Sequence, residues 1–452
     1  MNAVIGVEPL ENRTHFAAFA GLDPTYIFGE PDVARQVGHD VDFYQAVPAA
    51  GDRTYLLAEK FLNDDVRPPG ELMIVAVGAN RKLDPSFGVN GIALTGRRVL
   101  PHESYDAPGI LKLGPGGRLY FADNQRVLRF RPNGKIDLTF GKRGAITHSP
   151  TSPSVALCDI AFTDDNGVLV ATTHVTHGVE RYDVYKAAGR DIGRVWSAEH
   201  DTGIESDNAD GTQSFGDTGV SADNQVLHSD RAQFAQSRGG LVLLHVESDQ
   251  EVYTSHLEGD PVTATGTIRS DLVVTRFDTA GHGTDLARRE MRRSGEHVGA
   301  SLGDAAGFGV RRLDPAAVLS ANGRVLIVQT DEQFLRLDLR RNAIHRFELP
   351  AGDPFTNPRF RLLPDGHIWV FDDQYVEPRY YSIQRFALDG TPDGFFDSGG
   401  ALLISPRDSS EGNYEGLEQL FLGASGRLYI QLSGQVSQGG EFDHGSLTIR
   451  RV

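Results

Sequence analysis

Gly109-Ile110-Leu111-Lys112-Leu113-Gly114-Pro115-Gly116-Gly117-Arg118-Leu119-Tyr120-Phe121-Ala122-Asp123-Asn124-Gln125-Arg126-Val127-Leu128-Arg129-Phe130-Arg131-Pro132-Asn133-Gly134-Lys135-Ile136-Asp137-Leu138-Thr139-Phe140-Gly141 is the stretch on which the fold turns. It divides into four short runs, at 110–113, 118–122, 127–131 and 135–140, separated by Gly-Pro-Gly-Gly, Asp-Asn-Gln and Pro-Asn-Gly. Each separator carries turn chemistry: Gly admits positive φ, Pro presets φ, and Asx side chains bond the backbone two residues on. None of the runs has helical spacing, so the unit reads as four antiparallel strands.

Parts of the unit recur along the chain. Leu83-Asp84-Pro85-Ser86-Phe87-Gly88 matches Ile136-Asp137-Leu138-Thr139-Phe140-Gly141, and Thr391-Pro392-Asp393-Gly394-Phe395-Phe396-Asp397 is a looser copy. A turn Gly followed by an apolar strand occurs at Gly117, Gly167, Gly240, Gly323, Gly366 and Gly426, with a degenerate copy at Gly51. The mean spacing of about 62 residues is the signature of a repeat architecture. Apolar residues at successive positions of these strands mean burial on both faces. An all-β fold follows: a single β-propeller of four-stranded antiparallel blades. The expected blades are 40–98, 99–150, 151–199, 231–290, 312–356, 357–408, and 409–452 with 19–39. Seven is therefore the expected count, with six and eight left open by the irregular third and fourth units.

The C-terminal unit has three strands, at 417–422, 427–431 and 446–452, and then stops. The missing piece lies at the other end as Leu22-Asp23-Pro24-Thr25-Tyr26-Ile27-Phe28-Gly29. An N-terminal strand is thus expected to close the last blade and remove an open edge. Residues 1–18 are read as an arm ahead of a propeller spanning 19–452. Residues 200–230 read as a long acidic loop with Asp201, Glu205, Asp207, Asp210, Asp217, Asp223 and Asp230. Residues 287–312 read as an irregular insert, with room for one short helix around Arg288-Arg289 and Arg292-Arg293.

Composition narrows the function classes. Against 44 Lys and Arg stand 61 Asp and Glu, a net charge of −17. Nucleic acid and anionic membranes need positive potential, so neither is expected as a partner. No apolar run approaches the roughly 20 residues of a membrane helix. Cys158 is the only cysteine, which excludes an internal disulfide framework and a multi-Cys zinc site. It is read as a small core hydrophobe, and Trp196 and Trp369 as packing residues.

The mouth of the central channel is the default ligand site of such a ring. Polar residues entering or on the first strands are Gln45, Asp106, Lys112, Asp159, Gln233, Arg359, Arg361, Glu415 and Glu418. Mixed carboxylates and arginines suit a small polar ligand, or a paired acid and base, and they equally solvate a water-filled channel through salt bridges. His174 and His177 would bind zinc only with a third ligand from another blade, and are read as an exposed hairpin tip. Calcium is the one cofactor the acidic loop invites, but Ala209 stands where a ligand is needed, so the loop is read as solvated. Asp123-Asn124 and Asp372-Asp373 fall at matching places after their strands and are read as turn caps.

The Leu-Asp-Pro-Ser-Phe-Gly-x-x-Gly string, joined to Gly-Arg-Leu-Tyr-Phe, resembles the bacterial delta-60 repeat family. The unit at 109–141 also resembles NHL-type propeller repeats. The resemblance implies a propeller, often in exported or surface proteins, and carries no defined activity. Val7-Glu8-Pro9-Leu10-Glu11-Asn12-Arg13-Thr14 resembles a Glu-Pro-Leu-Glu-x-Arg motif of certain bacterial exported proteins. No charged n-region precedes an apolar run, so no classical signal peptide is read there. The expected function is a monomeric, non-catalytic binding propeller, exported or surface-associated, with a protein or glycan partner. The alternative is a metal-assisted hydrolase or lyase using channel-mouth carboxylates.

Overall fold

A computed structural model describes residues 27–39, 41–61, 70–80, 82–99, 109–147, 155–163, 165, 167–176, 179–188, 191–201, 213–214, 221–222, 232–237, 240–255, 263–278, 280–298, 317–320, 323–329, 334–341, 343–347, 359–362, 367–374, 380–392, 401–404, 414–422, 428–435, 437–438, 441–442 and 446–451. Among them the fold is all-β, with seven four-stranded antiparallel sheets of the kind that make propeller blades. In chain order these occupy 41–99, 110–147, 155–201, 232–298, 317–347, 359–404 and 414–451. Six are simple meanders. The seventh takes its outermost strand from the N-terminus: Ile27–Gly29 pairs antiparallel with Ser446–Arg451, Ile27 facing Arg450 and Gly29 facing Thr448. The expected edge-sealing strand is therefore in place.

Contacts divide the chain into two units, Met1–Ala107 with Pro350–Val452, and Pro108–Leu349. In the first, the helix Glu30–Val37 follows the edge strand directly. Its Val33 is fully buried with Val41, Phe43, Leu56, Met73 and Val75 of the first sheet and Tyr429 of the seventh. In the second unit, the sheets at 110–147, 155–201, 232–298 and 317–347 pack face to face in that order. Val168 and Val170 pack toward the second sheet, while Leu169 and Ala171 pack toward the fourth. In the fourth, Leu241 and Leu243 meet the third sheet, and Val242 and Leu244 meet the fifth. Both faces of each strand are buried, which is why these strands are apolar at successive positions. Each buried Val or Leu among them contributes about 1.5–3 kcal/mol of burial.

The recurrent Asp-x-Ser/Thr-Phe-Gly string is not a strand. The fourth strands are Ile92–Val99 and Ala145–Thr147, so the expected strand at 135–140 is corrected to a hook that precedes them. The two hooks share one hydrogen-bond plan. Asp84 N–H donates to Ala76 O at 2.8 Å and Asp137 N–H to Arg129 O at 2.8 Å. Gly91 N–H reaches Phe87 O, and Gly144 N–H reaches Phe140 O, both at 2.8 Å. Phe87 and Phe140 are buried, each against the tyrosine of its own second strand, Tyr55 at 5.3 Å and Tyr120 at 5.8 Å between ring centroids. Gly88 and Gly141 hold φ of 54° and 52°, where an added Cβ would overlap the carbonyl oxygens of Ile92 and Ala145.

Two further expectations are corrected. Residues 287–298 form no helix; they belong to a strand, Gly283–Val298, and 299–312 lie outside the described residues. Asp372 and Asp373 lie within the strand Ile368–Gln374, opposite Ser382 and Tyr381, rather than in the turn after it. In the acidic segment, Asp201 ends the strand Asp191–Asp201, and Gln213–Ser214 pairs with Ser221–Ala222. The other acidic residues named there, and the arm at 1–18, lie outside the described residues.

Candidate functional site

The polar residues singled out from the sequence sit, where described, on first strands. Gln45 is on Val41–Ala49, Lys112 on Ile110–Leu113, Asp159 on Val155–Phe162 and Gln233 on Ala232–Ser237. Arg359 and Arg361 are on Arg359–Leu362, and Glu415 and Glu418 on Tyr414–Leu422. Asp106 and His177 lie outside the described residues, while His174 is inside the strand Val168–Thr176, opposite Val155 and Arg181. That places His174 in a ladder rather than at a hairpin tip. Three first strands carry a bulge at the same register, between Phe43 and Gln45, Leu157 and Asp159, and Leu417 and Gln419. A bulge bends the strand and re-aims the side chains beside it. Gln45, Asp159 and Gln419 are thus equivalent, and Tyr44, Cys158 and Glu418 are the bulged residues.

The structure brings Lys112 and Asp159 together. Lys112 Nζ lies 2.6 Å from Asp159 Oδ1 and donates to Ile160 O at 2.8 Å. Asp159 Oδ1 also accepts from Ile160 N–H, and Oδ2 accepts from Phe234 N–H, both at 2.8 Å. Asp159 is 4 % exposed. One side chain therefore fastens the first strands of three consecutive sheets, the second, third and fourth. A parallel tie runs from Asn124, whose Oδ1 accepts from Leu157 N–H at 2.9 Å. Its neighbour Asp123 caps its own turn, accepting from Gln125 N–H and Arg126 N–H at 2.9 Å each. Of the Asp-Asn pair, then, only the aspartate is a turn cap. Cys158, at the bulge, is buried among Ala161, Leu169 and Phe234.

Two clusters were not singled out from the sequence. The first is the hook aspartate. Asp137 is bordered by Arg118 at 3.3 Å, Arg129 at 3.0 Å and Arg131 at 3.6 Å, and its Oδ1 accepts from Thr139 Oγ1 at 2.8 Å. Arg53 pairs with Asp84 in the same way, and Ser86 replaces Thr139, its Oγ donating to Asp84 Oδ1 at 2.6 Å. The ion pair clamps the start of the second strand to the hook. Arginine after the turn Gly, at Arg53, Arg118, Arg324 and Arg427, was the signal that links the two repeated strings. The second cluster is on the first sheet: the Tyr44 hydroxyl donates to Glu59, a carboxylate 1 % exposed, and Asp42 lies opposite Glu59 in the ladder. Tyr44 reaches it because the bulge turns it out of the normal alternation.

Burial alone would raise the Asp137 carboxyl. The Thr139 hydroxyl and amide, the Arg129 charge and the Arg118 hydrogen bond outweigh that and bring it down to about 2. A carboxyl held below its unfolded value stabilises the fold fully above the unfolded pKa and loses that effect as pH falls through the folded one. Urea unfolding of wild type and Asp137→Asn is therefore expected to differ above pH 4 and to converge between pH 4 and about 2. A gap that stays constant across that window would rule out this role for the carboxylate.

Among the described residues no group of three or more His, Cys, Asp or Glu is placed to hold a metal ion, and no helix is long and apolar enough to cross a membrane. No family model matches the sequence, and no curated protein matches it either. Solved structures do resemble it in shape. A Dyadobacter fermentans protein of unknown function shares 12 % identity, with 92 % of this chain and 95 % of that one covered and a TM-score of 0.40. The WD40 domain of SCAP from fission yeast shares 11 %, with 94 % and 86 % covered and a TM-score of 0.31. The polysaccharide lyase Uly1 shares 8 %, with 96 % and 98 % covered and a TM-score of 0.39.

Proposed function

We propose that the protein is a non-catalytic interaction module of the propeller type, with the seven sheets as its blades and delta-60-like repeats as their source. On this reading it is exported or surface-associated and binds a protein or glycan through the channel mouth and the strand-connecting segments. The observation that carries it is the length of three strands in the fourth sheet. Gly240–Ser255, Thr263–Phe277 and Gly283–Val298 have 16, 15 and 16 residues, whereas their first strand Ala232–Ser237 has six. Pairing with the first strand ends at His245, whose ring packs 4.7 Å from Tyr182 of the third sheet. Beyond that level the third sheet's hairpin keeps only residues 179–181 on its return strand, while the fourth runs on for ten residues as a three-stranded arm. These extended portions, 246–255, 263–272 and 289–298, are mostly polar in sequence and run on beyond the first strand of their own sheet, which suits a surface offered to a partner. Asp159 is engaged in inter-sheet ties through both of its oxygens, which gives it a structural role on this reading.

The test compares the full chain with one in which residues 248–270 are replaced by an Asn-Gly turn between the facing Glu247 and Asp271. Binding to a glycan array and to a panel of extracellular proteins is expected to fall at least tenfold in the trimmed chain, a loss of about 1.4 kcal/mol or more. Equal binding by both chains, or none by the full chain, sinks the reading. A second reading, a hydrolase or lyase, has the Tyr44–Glu59 pair in its favour, because a tyrosine beside a carboxylate is a competent proton-transfer pair. It requires polysaccharide cleavage by the purified chain that Tyr44→Phe lowers by about a hundredfold or more.

A further inference from the structure

The second sheet is a basic island on an acidic chain. Residues 109–147 carry eight lysines and arginines against two aspartates, a net +6, while the rest of the chain carries 36 against 59, a net −23. Both aspartates, Asp123 and Asp137, are buried, so the exposed charge of this sheet is all positive. The described carboxylate at the matching turn of the third sheet, Asp165, is paired with Lys186 at 2.9 Å. Most of the cations gather at one end, where Leu119–Ala122 begins, Arg126–Phe130 ends and Ala145–Thr147 begins after the hook. Arg118, Arg129 and Arg131 surround Asp137 there, so three guanidinium groups share one carboxylate and two positive charges are left over. Arg118 and Arg131 are half-exposed, and Lys135, Lys142 and Arg143 are exposed on the same hook, together with Ile136 and Leu138.

The first sheet shows that the hook does not need this charge. Hydrogen bonds fix which positions correspond. Ala76 O and Arg129 O accept from the hook aspartates, and Gly78 N–H and Arg131 N–H donate to Lys82 O and Lys135 O. Val89 N–H and Lys142 N–H donate to Ile92 O and Ala145 O, and Asn90 and Arg143 hold φ of 54° and 58°. The first sheet thus builds the same hook with Ala, Gly, Val and Asn where the second has Arg129, Arg131, Lys142 and Arg143. Crowded like charges repel, and positive φ is uncommon for Arg while Asn adopts it readily. The fold gains from neither, so both suit a charged occupant.

We propose that this end of the second sheet binds an acidic segment of a partner protein, with carboxylates on Arg118, Arg131, Lys142 and Arg143 and an apolar side chain over Leu138. Arginines around a small apolar centre are the usual make-up of a protein-binding patch. Single-stranded bases stack on exposed aromatic rings, and Tyr120, Phe121, Phe130 and Phe140 of this sheet are all buried. A sulfated or uronate glycan offers little apolar surface to Ile136 and Leu138. An anionic membrane would also face the acidic remainder of the chain. The proposal rests on the interaction reading above and gives one strand-connecting segment its partner class.

The test is fluorescence anisotropy of a labelled peptide of four Asp-Glu-Gly-Leu repeats with the full chain at physiological salt. Wild type is expected to bind it with a Kd below about 100 µM. K142V/R143N gives the second hook the residues found in the first, and is expected to bind at least about tenfold more weakly. Its urea midpoint is expected to equal or exceed that of wild type, because Asn takes positive φ more readily than Arg. Leu138→Ser is expected to weaken peptide binding by about threefold or more and to leave heparin binding unchanged. No peptide binding by wild type overturns the inference. So does equal binding by K142V/R143N, or earlier unfolding of that variant, which would assign the cations to the fold. Tighter binding of heparin or of a single-stranded oligonucleotide than of the peptide overturns it in favour of a glycan or nucleic acid. Self-association of wild type that K142V/R143N abolishes overturns it in favour of a second copy. The arm-trimmed chain is expected to bind the peptide as wild type does. If no peptide binds while trimming the arm still abolishes array binding, this inference falls and the interaction reading stands.

Discussion

Gly141→Ala is expected to destabilise the second sheet by about 3–4 kcal/mol, combining left-handed backbone strain with overpacking. The residue sits at φ 52°, and a Cβ there would overlap Ala145 O and approach Ile146 Cγ1 at 2.6 Å. Neither obstacle can move cheaply. Ala145 opens the fourth strand and its carbonyl accepts from Lys142 N–H at 2.7 Å, while Ile146 is 3 % exposed in the core shared with the third sheet. Urea unfolding followed by tryptophan emission reads the effect, with Trp369→Phe as background so that Trp196 alone reports. Gly193 is the control: nothing lies within 4 Å of a Cβ built there, and Gly193→Ala is expected to change stability by no more than about 0.5 kcal/mol. Equal effects at the two positions would mean that the hook does not need glycine.

Asp159→Ala is expected to have the other large effect, about 2–4 kcal/mol, because it strands a buried N–H and an ammonium at once. Phe234 N–H would lose its acceptor on the fourth sheet, and Lys112 Nζ its counter-charge on the second. Lys112 retains Ile160 O and is about one-third exposed, which keeps the loss below that of a fully buried pair. Asp159→Asn keeps an acceptor for Phe234 and should recover about half of the effect. The cycle with Lys112→Met should give a coupling of about 1 kcal/mol or more, since the two groups are in direct contact. A change of less than about 0.5 kcal/mol in Asp159→Ala would mean that the three first strands are held without this tie.

Much of the fold was legible because burial on both faces writes itself into the sequence. Leu241 through Leu244 are apolar since alternate residues meet different neighbouring sheets. The terminal strand exchange was legible because the last unit lacked a piece that the first residues carried. The hook was misread as a strand because Ile136, Leu138 and Phe140 alternate as strand residues do. Only Phe140 of the three is buried; Ile136 and Leu138 are exposed, so the alternation reported no sheet face. The arginines of 287–298 suggested a helix by composition. Pairing with 264–274, the preceding strand of the same hairpin, overrides that preference.

The strands that carry the candidate residues were legible, and what those residues do was not. Gln45, Asp159, Glu415 and Glu418 were located correctly on first strands by their position upstream of a turn glycine. That Asp159 would bond Phe234 depends on how close two sheets approach, a distance no pattern within one repeat encodes. The Tyr44–Glu59 pair needed the bulge, which shifts register by one residue and leaves no mark in the hydrophobic pattern.

The pairing of Ile27–Gly29 with Ser446–Arg451 sets an order of events during synthesis. A ribosome adding roughly 5–20 residues per second needs on the order of 20–85 s between the two segments. For that interval Ile27–Gly29 is without its partner strand, and the growing chain makes the six meander sheets, which can form locally. Of the seven sheets this one is completed after the other six, because its edge strand must wait for residues 446–451.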